Sequence, residues 1–256
     1  MKTAVVKCGG SVIGELSDSF FQSMKEMMKN GYRIVFVHGG GPEINSMLEK
    51  LHVKSEFKDG LRVTSKEVLD IAELVLAGST NRKLVRMLQS HGIEAIGINS
   101  SDHRILQADF INQDELGYVG DVTSVHQEFI QNLCEQGVLP VLTPIGLGPN
   151  HTILNVNADH AASAIAKALQ ADRFLMVTDV DGVLHKGELL STLTEKEANS
   201  FIKEGVINGG MIPKVTSALN AFSEYVNHVH IVSGKKSFYN AGKWYGTELT
   251  KEKVTV

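Results

Sequence analysis

Several short segments of the sequence combine glycines with charged or polar side chains, the residue types that hold anions. They are Lys7-Cys8-Gly9-Gly10, His38-Gly39-Gly40-Gly41-Pro42, Asp59-Gly60-Leu61-Arg62-Val63-Thr64, Asn155-Val156-Asn157-Ala158-Asp159, Thr178-Asp179-Val180-Asp181-Gly182-Val183 and Gly209-Gly210-Met211-Ile212-Pro213-Lys214. The first two each follow an apolar run, and glycines between a strand and a helix let backbone N–H groups approach an anion. Either segment alone is better explained as a tight turn. Two such loops near the start of the chain, one of them with a lysine, favour a phosphate-binding function.

Three charged residues in these segments have both a functional and an ordinary explanation. Lys214 lies in the first turn of a predicted helix, where the positive end of the helix dipole disfavours a cation, so its position suggests an anion nearby. Asp159 also lies in a first helical turn, and there the dipole alone is a sufficient reason for a carboxylate. Arg62 could present its guanidinium fork to a carboxylate, or it could be a surface arginine. The residues by themselves leave both explanations open.

The common nucleotide-binding patterns do not occur in the sequence. No Gly-x-Gly-x-x-Gly is present, since Gly146-x-Gly148 is followed by His151 where the third glycine belongs. The Gly-Lys pairs at Gly234 and Gly242 lack both the earlier glycine and the following Ser or Thr of a P-loop. The protein-kinase signatures are also absent. A dinucleotide-binding fold, a P-loop fold and a protein-kinase fold are therefore poor fits.

Short apolar runs alternate with helical patterns, which predicts a parallel sheet with helices on both faces. The predicted strands are Ala4–Lys7, Arg33–His38, Ile93–Ile98, Val138–Thr143, Phe174–Thr178 and His230–Val232. The predicted helices are Phe20–Asn30, one from Pro42, Thr64–Val75, Asn81–Gln89, His126–Gln136, Ala158–Leu169, one from Thr194 and Pro213–Tyr225. Ligands of such sheets bind at the carboxyl ends of the strands, where the glycine loops lie.

A few local signals refine these elements. Thr64 and Thr194 are each followed three residues later by a glutamate, which predicts a capping box at both helices. Asn157 is the predicted N-cap of the helix that carries Asp159. The polar stretch from Leu106 to Val122 has no helical period and is predicted to form a β-hairpin on one edge of the sheet.

Composition excludes several classes of protein. The 256 residues contain 25 Lys plus Arg and 29 Asp plus Glu, a net charge of −4, whereas nucleic-acid proteins normally carry a basic excess. Two cysteines, Cys8 and Cys134, cannot build a disulfide framework or a four-ligand zinc site, so we expect free thiols. We find neither a signal peptide nor an apolar run long enough to span a bilayer, and expect a cytoplasmic protein with no membrane partner.

Together and in this order, the glycine-containing segments resemble the amino-acid kinase family. The Leu61–Thr64 and Asn155–Asp159 segments most resemble the members that act on N-acetyl-L-glutamate. The resemblance implies an α/β fold, a three-layer αβα sandwich around a mainly parallel open sheet. It implies one kinase domain over residues 1–256, with an acceptor-binding lobe at about 1–170 and a nucleotide-binding lobe at about 171–256.

The resemblance also implies a reaction and a role for each segment. The expected reaction moves the γ-phosphoryl group of ATP, with Mg²⁺, to the side-chain carboxylate of N-acetyl-L-glutamate, a step of arginine biosynthesis. Lys7 and Lys214 would stabilise the transferring group, and Asp159 would hold both lysines. Gly40, Gly41, Arg62 and Asn155 would bind the acceptor, and His38 would have a structural role in its turn. The nucleotide would be bound by Gly9, Gly10, Thr178, Asp179, Val180, Asp181, Gly182, Val183, Val206, Ile207, Asn208 and Gly209.

Alternatives remain open at this point. The acceptor of a kinase with this fold could instead be glutamate, aspartate, carbamate or UMP, and the fold could also serve a non-catalytic small-molecule sensor. An intact set of Lys7, Asp159 and Lys214 argues against a sensor. Arginine-inhibited members of the family carry a helix before the first strand, whereas here Lys7 is close to the first residue. We therefore expect a homodimer that L-arginine does not inhibit, with no regulatory protein partner.

Overall fold

The fold is built on an eight-stranded sheet. The computed structural model describes residues 2–222 and 226–251. Its strands are β1 Lys2–Cys8, β2 Tyr32–His38, β3 Glu56–Lys58, β4 Leu61–Val63, β5 Ala95–Ile98, β6 Leu106–Phe110, β7 Val119–Val125, β8 Leu139–Leu142, β9 Ile145–Leu147, β10 Ile153–Val156, β11 Arg173–Thr178, β12 Leu184–His185, β13 Glu188–Leu189, β14 Thr192–Thr194, β15 Val229–Ser233, β16 Tyr239–Asn240, β17 Lys243–Trp244 and β18 Thr247–Thr250. The strand order in the large sheet is β14-β18-β15-β11-β1-β2-β8-β5. All neighbours in it are parallel except β15 and β18. The predicted mainly parallel sheet is confirmed.

Helices cover the large sheet and are amphipathic. They are α1 Gly10–Ile13, α2 Asp18–Lys29, α3 Gly41–Lys50, α4 Lys66–Glu73, α5 Asn81–Ser90, α6 Gln113–Leu116, α7 Gln127–Glu135, α8 Ala158–Ala168, α9 Glu195–Lys203 and α10 Met211–Asn220. In α2 the stripe Phe20, Met24 and Met27 is fully buried, and each such side chain contributes about 1.5–3 kcal/mol on burial. The helix ends before Gly31, whose φ of 84° is readily adopted only by glycine.

The strands at the centre of the sheet explain where the glycine loops lie. β1 pairs in parallel with β2 on one side and with β11 on the other, and Cys8 is the register partner of both His38 and Val177. The three strands therefore end at the same height. The loops that follow them, at residues 9–10, 39–41 and 178–183, emerge side by side at the carboxyl edge of the sheet.

The region from Leu106 to Val122 forms more than the predicted hairpin. Its two strands, β6 and β7, do pair antiparallel, but they close into a small barrel with β9 and β10. An isolated hairpin cannot bury its apolar face, and here Leu106 and Ala108 pack in one buried cluster with Leu154 and Val156. The prediction of a simple edge hairpin is therefore wrong, because these apolar residues find their partners in a later segment.

The helix-start predictions succeed at two positions and fail at a third. Thr194 and Glu197 make both hydrogen bonds of a capping box, and the Asn157 side chain caps α8. At α4 the N-cap is Ser65, whose Oγ accepts the Val68 N–H at 3.2 Å, so the capping box predicted at Thr64 is wrong. Thr64 is unavailable because its hydroxyl donates to the Arg62 carbonyl at 2.7 Å.

Two further differences concern helix lengths. α4 runs through a π-helical segment, Leu74–Thr80, directly into α5, where the sequence suggested two separate helices. α10 begins at Met211, and the predicted end at Tyr225 lies outside the described residues.

No helix in the described parts of the chain is long and apolar enough to cross a membrane. Cys8 and Cys134 are free thiols, and burial raises the pKa of the Cys8 thiol to about 12.

Candidate active site

A cavity of about 400 Å³ opens at the carboxyl edge of β1 and β2. It gathers residues from both glycine loops, the β3–β4 hairpin, β10 and the start of α8. Among the predicted site residues, those that line it are Lys7, Gly9, Gly10, Gly40, Gly41, Arg62, Asn155 and Asp159. Segments that are distant along the chain therefore meet at one site.

The two glycine loops touch each other at the base of this cavity. A Cβ atom on Gly10 would lie 2.8 Å from the Gly40 Cα, and one on Gly40 would lie 2.8 Å from the Leu76 Cδ2. Side-chain carbon atoms do not approach backbone that closely, so only glycine allows this contact. Gly40 is also the N-cap of α3 and offers no side chain to its first-turn N–H groups. That helix end therefore presents N–H donors and a positive dipole to a ligand in the cavity.

The neutral side chain of His38 forms hydrogen bonds that hold the second glycine loop in place. Its Nε2 accepts a hydrogen bond from the Asn81 side-chain amide at 3.1 Å, because an amide nitrogen can only donate. The ring proton is then on Nδ1, which donates to the Gly39 carbonyl at 2.9 Å. Burial lowers the pKa of His38 to about 4, which keeps this tautomer uncharged at neutral pH. The geometry suits a structural role in the turn.

Lys7 and Asp159 form an ion pair across the cavity. Lys7 Nζ lies 2.8 Å from Asp159 Oδ1, and the side chains are 13% and 25% exposed. The end of β1 presents the lysine and the first turn of α8 presents the aspartate. The Asn157 cap orients that turn, because its Oδ1 accepts the Asp159 N–H at 2.8 Å. The ammonium group is thus held beside the Gly9–Gly10 loop.

Arg62 is a buried cation with no acidic partner among the described residues. The residue is 7% exposed, which rules out the surface-arginine interpretation. Its guanidinium donates to Asn45 Oδ1 at 2.6 Å, to Ser55 Oγ and to the Gly41 carbonyl. No carboxylate of the described residues pairs with it. Burial lowers the pKa of Arg62, yet a guanidinium stays charged in proteins, and a buried charge needs a counter-charge. An anionic ligand would supply it.

Asn155 is linked to the arginine through Thr64. The Asn155 side-chain amide donates to Thr64 Oγ1 at 3.1 Å, and that hydroxyl in turn donates to the Arg62 carbonyl. This chain of bonds joins β10 to β4. It explains why an Arg-Val-Thr segment and an Asn-containing strand end occur in the same site.

The segment 178–183 turns sharply at the end of β11, beside the Gly9–Gly10 loop. Thr178 Oγ1 donates to the Val180 carbonyl at 2.9 Å, and the Val183 N–H donates to Thr247 Oγ1 at 2.8 Å. Gly182 has a φ of 148°, and a Cβ there would lie 2.5 Å from Thr247 Oγ1, so the turn requires glycine. Residues 178–183, which the sequence predicts to bind the nucleotide, therefore lie at the same edge of the sheet as Gly9 and Gly10.

Lys214 has a different partner from the one expected. Its Nζ lies 2.5 Å from Asp179 Oδ1, and this contact lowers the pKa of the Asp179 carboxyl. The predicted contact between Asp159 and Lys214 is therefore not made in this structure, and Asp159 holds only Lys7. The reason is local: α10 begins close to the loop after β11, where Asp179 relieves the unfavourable cation at the helix start. Val206–Gly209 form the turn before α10 and, like Lys214, do not line the 400 Å³ cavity.

Comparison with known proteins assigns the fold to a family. The model of the amino acid kinase family matches residues 2–233. The chain belongs to the amino acid kinase family. The family resemblance and the αβα fold class expected from the sequence are both confirmed. As an amino acid kinase, the chain is an enzyme that transfers phosphoryl groups.

Relatives of this amino acid kinase match over its full length. An acetylglutamate kinase of Bacillus pumilus is 49% identical over 255 residues, covering 100% of this chain and 99% of that protein. A solved Streptococcus mutans structure has a TM-score of 0.84 and 33% identity, covering 97% of this chain and 98% of its own. An N-acetylglutamate synthase of Neisseria gonorrhoeae, complexed with coenzyme A and N-acetyl-glutamate, shares the fold at a TM-score of 0.82 with 21% identity, covering 98% of this chain and 60% of its own.

Proposed function

We propose that the chain transfers the γ-phosphoryl group of ATP to the side-chain carboxylate of N-acetyl-L-glutamate, a step of arginine biosynthesis. Full-length relatives at 48–49% identity are acetylglutamate kinases. The structural observation that carries the proposal is Arg62, a buried guanidinium that lines the same cavity as Lys7 and the glycine loops and has no acidic partner in the described parts of the chain. Such a cavity is suited to a small molecule that brings its own carboxylates.

The acceptor needs little chemical activation. A side-chain carboxylate of this type has a reference pKa of about 4.3 and is ionised at neutral pH, so no general base is required. Catalysis then consists of alignment and of stabilising charge while a phosphoryl group passes between two anions. Lysine ammonium groups and backbone N–H donors suit this task, and the cavity contains both.

Each lysine has one role in this mechanism. Lys7, oriented by Asp159, contacts the transferring phosphoryl group from the side of the Gly9–Gly10 loop. Lys214 approaches the same group from the start of α10 and must leave Asp179 to do so. ATP phosphates offer Lys214 more negative charge than one carboxylate, which favours this exchange. Gly9 and Gly10 line the phosphate path.

The remaining residues bind the two substrates. Gly40 and Gly41 offer N–H groups to the acceptor, and Arg62 and Asn155 bind its α-carboxylate and N-acetyl region. The loop 178–183 and residues 206–209 frame the nucleotide. ATP enters with Mg²⁺ as a complex, in which the metal is held by phosphate oxygens and belongs to the co-substrate. The acceptor lobe (about 1–170) and nucleotide lobe (about 171–256) remain a prediction.

One coupled assay tests the proposal against its alternatives. ADP release and acyl-phosphate hydroxamate are measured with N-acetyl-L-glutamate, glutamate, aspartate, carbamate and UMP. The proposal expects turnover with N-acetyl-L-glutamate to exceed that with every other acceptor. Preference for another acceptor would assign a sister activity on the same fold. Binding of nucleotide without turnover of any acceptor would support the sensor.

Arg62→Ala is expected to raise the KM for N-acetyl-L-glutamate by about 10²-fold, because truncating a charged partner of a carboxylate costs about 2–5 kcal/mol. The KM for ATP should change by less than about threefold, since Arg62 lies on the acceptor side. Steady-state kinetics with each substrate varied in turn would measure both constants. Arg86→Ala, at an exposed position of α5, is the matched control and should behave as wild type. An unchanged acceptor KM in Arg62→Ala would show that the carboxylate binds elsewhere.

The homodimer also remains a prediction, together with cytoplasmic location and insensitivity to L-arginine. Light scattering of the purified chain would measure its mass in solution, and a monomer or a hexamer would contradict the dimer.

A further inference from the structure

We propose that Asn45 is a positioning residue whose lack of charge keeps the positive charge of Arg62 available to the acceptor. The inference deepens the proposed function and rests on it. Asn45 lies on α3, one turn after Gly41, and lines the cavity together with Arg62. Its Oδ1 accepts a hydrogen bond from Arg62 Nη2 at 2.6 Å, which is short for an N–H donor to a neutral oxygen.

Within residues 2–222 and 226–251, the groups that accept hydrogen bonds from the Arg62 guanidinium are all neutral. The acceptors are an amide oxygen from Asn45, the Ser55 hydroxyl and the Gly41 carbonyl. The Phe57 ring lies against the guanidinium with 4.6 Å between the Arg62 Cζ and the ring centroid. These contacts orient the group and consume part of its donors, but none of them cancels its charge.

Two other arginines of the chain pair with carboxylates. Arg33 pairs with Glu135 at 3.1 Å, and Arg173 pairs with Glu248 at 3.0 Å. Both of these arginines are more exposed than Arg62. Because the cost of an unpaired charge rises with burial, Arg62 would need a counter-charge more than either of them. Arg62, the most buried of the three, is thus the one whose described hydrogen-bond acceptors are neutral.

The affinity for the acceptor should depend on whether residue 45 is asparagine or aspartate. An aspartate has nearly the same shape as asparagine and would accept the same hydrogen bond from Arg62. It would also place a negative charge against the buried guanidinium of Arg62, so a substrate carboxylate would have to compete with it. Asparagine keeps the orientation and leaves the charge to be matched by the ligand.

The test compares Asn45→Asp, Asn45→Ala and Ser46→Asp, where Ser46 is the next, exposed residue of the same helix. We expect Asn45→Asp to raise the KM for N-acetyl-L-glutamate by about 10- to 100-fold, with kcat and the KM for ATP within about threefold. Asn45→Ala, which removes the hydrogen bond but adds no charge, should raise the acceptor KM by only about two- to fivefold. Ser46→Asp should match wild type. Calorimetric titration of N-acetyl-L-glutamate should give the same order of affinities.

The order of the two Asn45 variants decides the matter. A purely structural role predicts that the isosteric Asn45→Asp is milder than Asn45→Ala, and that order would overturn the proposal, as would a wild-type KM in Asn45→Asp. If Asn45→Asp does not fold, Ser55→Asp is the replacement variant, because it places a carboxylate on the other terminal guanidinium nitrogen. It should also raise the acceptor KM selectively, and a normal acceptor KM in Ser55→Asp would overturn the proposal. Wild-type turnover is measured first. If the wild-type protein does not turn over N-acetyl-L-glutamate, the proposed function is refuted. If wild-type turnover is normal and the acceptor KM of Asn45→Asp equals that of wild type, only the role of Asn45 is refuted.

Discussion

Lys7→Ala is expected to lower kcat by about a thousandfold while the dissociation constant of ATP changes by only a few fold. The Lys7 ammonium is held 2.8 Å from Asp159 beside the Gly9–Gly10 loop, where the phosphoryl group would pass. Loss of one preorganised donor to a transition-state charge costs about 10²–10³ in kcat, and loss of a cation in phosphoryl transfer costs about 10³ or more. Contacts that strengthen only in the transition state affect kcat rather than ground-state affinity.

Single-turnover kinetics would measure the rate of the transfer step in Lys7→Ala, and a separate nucleotide titration would measure its dissociation constant for ATP. Lys29→Ala, at an exposed position of α2, is the control for loss of one lysine and should leave both unchanged. Circular dichroism would verify that Lys7→Ala is folded. Near-normal turnover in a folded Lys7→Ala protein would remove Lys7 from the mechanism.

Lys214→Ala is the second variant with a large expected effect, a loss of about 10²–10³ in kcat with a smaller change in ATP affinity. Its reason differs from that of Lys7, because Lys214 is paired with Asp179 at 2.5 Å and is about one-third exposed. Lys214 must break this exposed pair before it can reach phosphate. Exposed ion pairs contribute only about 0–1 kcal/mol, so ATP can readily displace Asp179.

A neighbouring lysine provides a matched control for this variant. Lys236 pairs with Asp181 at 2.6 Å in the same loop, so Lys236→Ala removes a similar ion pair with no predicted part in transfer. We expect its kcat to stay within about threefold of wild type. Equal losses in Lys214→Ala and Lys236→Ala would mean that the ion pairs only stabilise the loop. Retained turnover in Lys214→Ala alone would exclude it as the second phosphoryl contact.

Local patterns predicted much of the framework. The buried strands at the centre of the sheet, the stripe of α2 and the capping box at Thr194 could be read from a few adjacent residues, because their stabilising contacts are local or follow a simple period. The same holds for Asn157 and Asp159 at the start of α8. The glycine loops after β1 and β2 were also predictable, since a parallel sheet places the ends of neighbouring strands together.

The errors arose where a residue makes contacts that its local pattern does not show. Thr64 carries the signal of a helix cap, but its hydroxyl bonds to Arg62 and receives the Asn155 amide instead. The strands β6 and β7 close into a barrel only because β9 and β10 supply the other half of the apolar interior. Roles for Ser55 and Phe57 could not be predicted because nothing in their local sequence marks them, and the local signal for Asn45 is weak. A polar residue one turn after Gly41 on the predicted helix was the available signal for Asn45.

By itself the sequence indicated the central strands, the main helices and a set of residues able to handle two anions, since these depend on residue type, spacing and period. The family was indicated by the resemblance of its motifs. Only the tertiary structure decided which charges are matched inside the protein and which are left for a ligand. Lys7 and Lys214 each have a carboxylate, whereas Arg62 is buried among neutral groups. The physical reason is that the effect of a charge depends on its burial and on neighbours a few ångströms away, and folding brings those neighbours from remote parts of the chain.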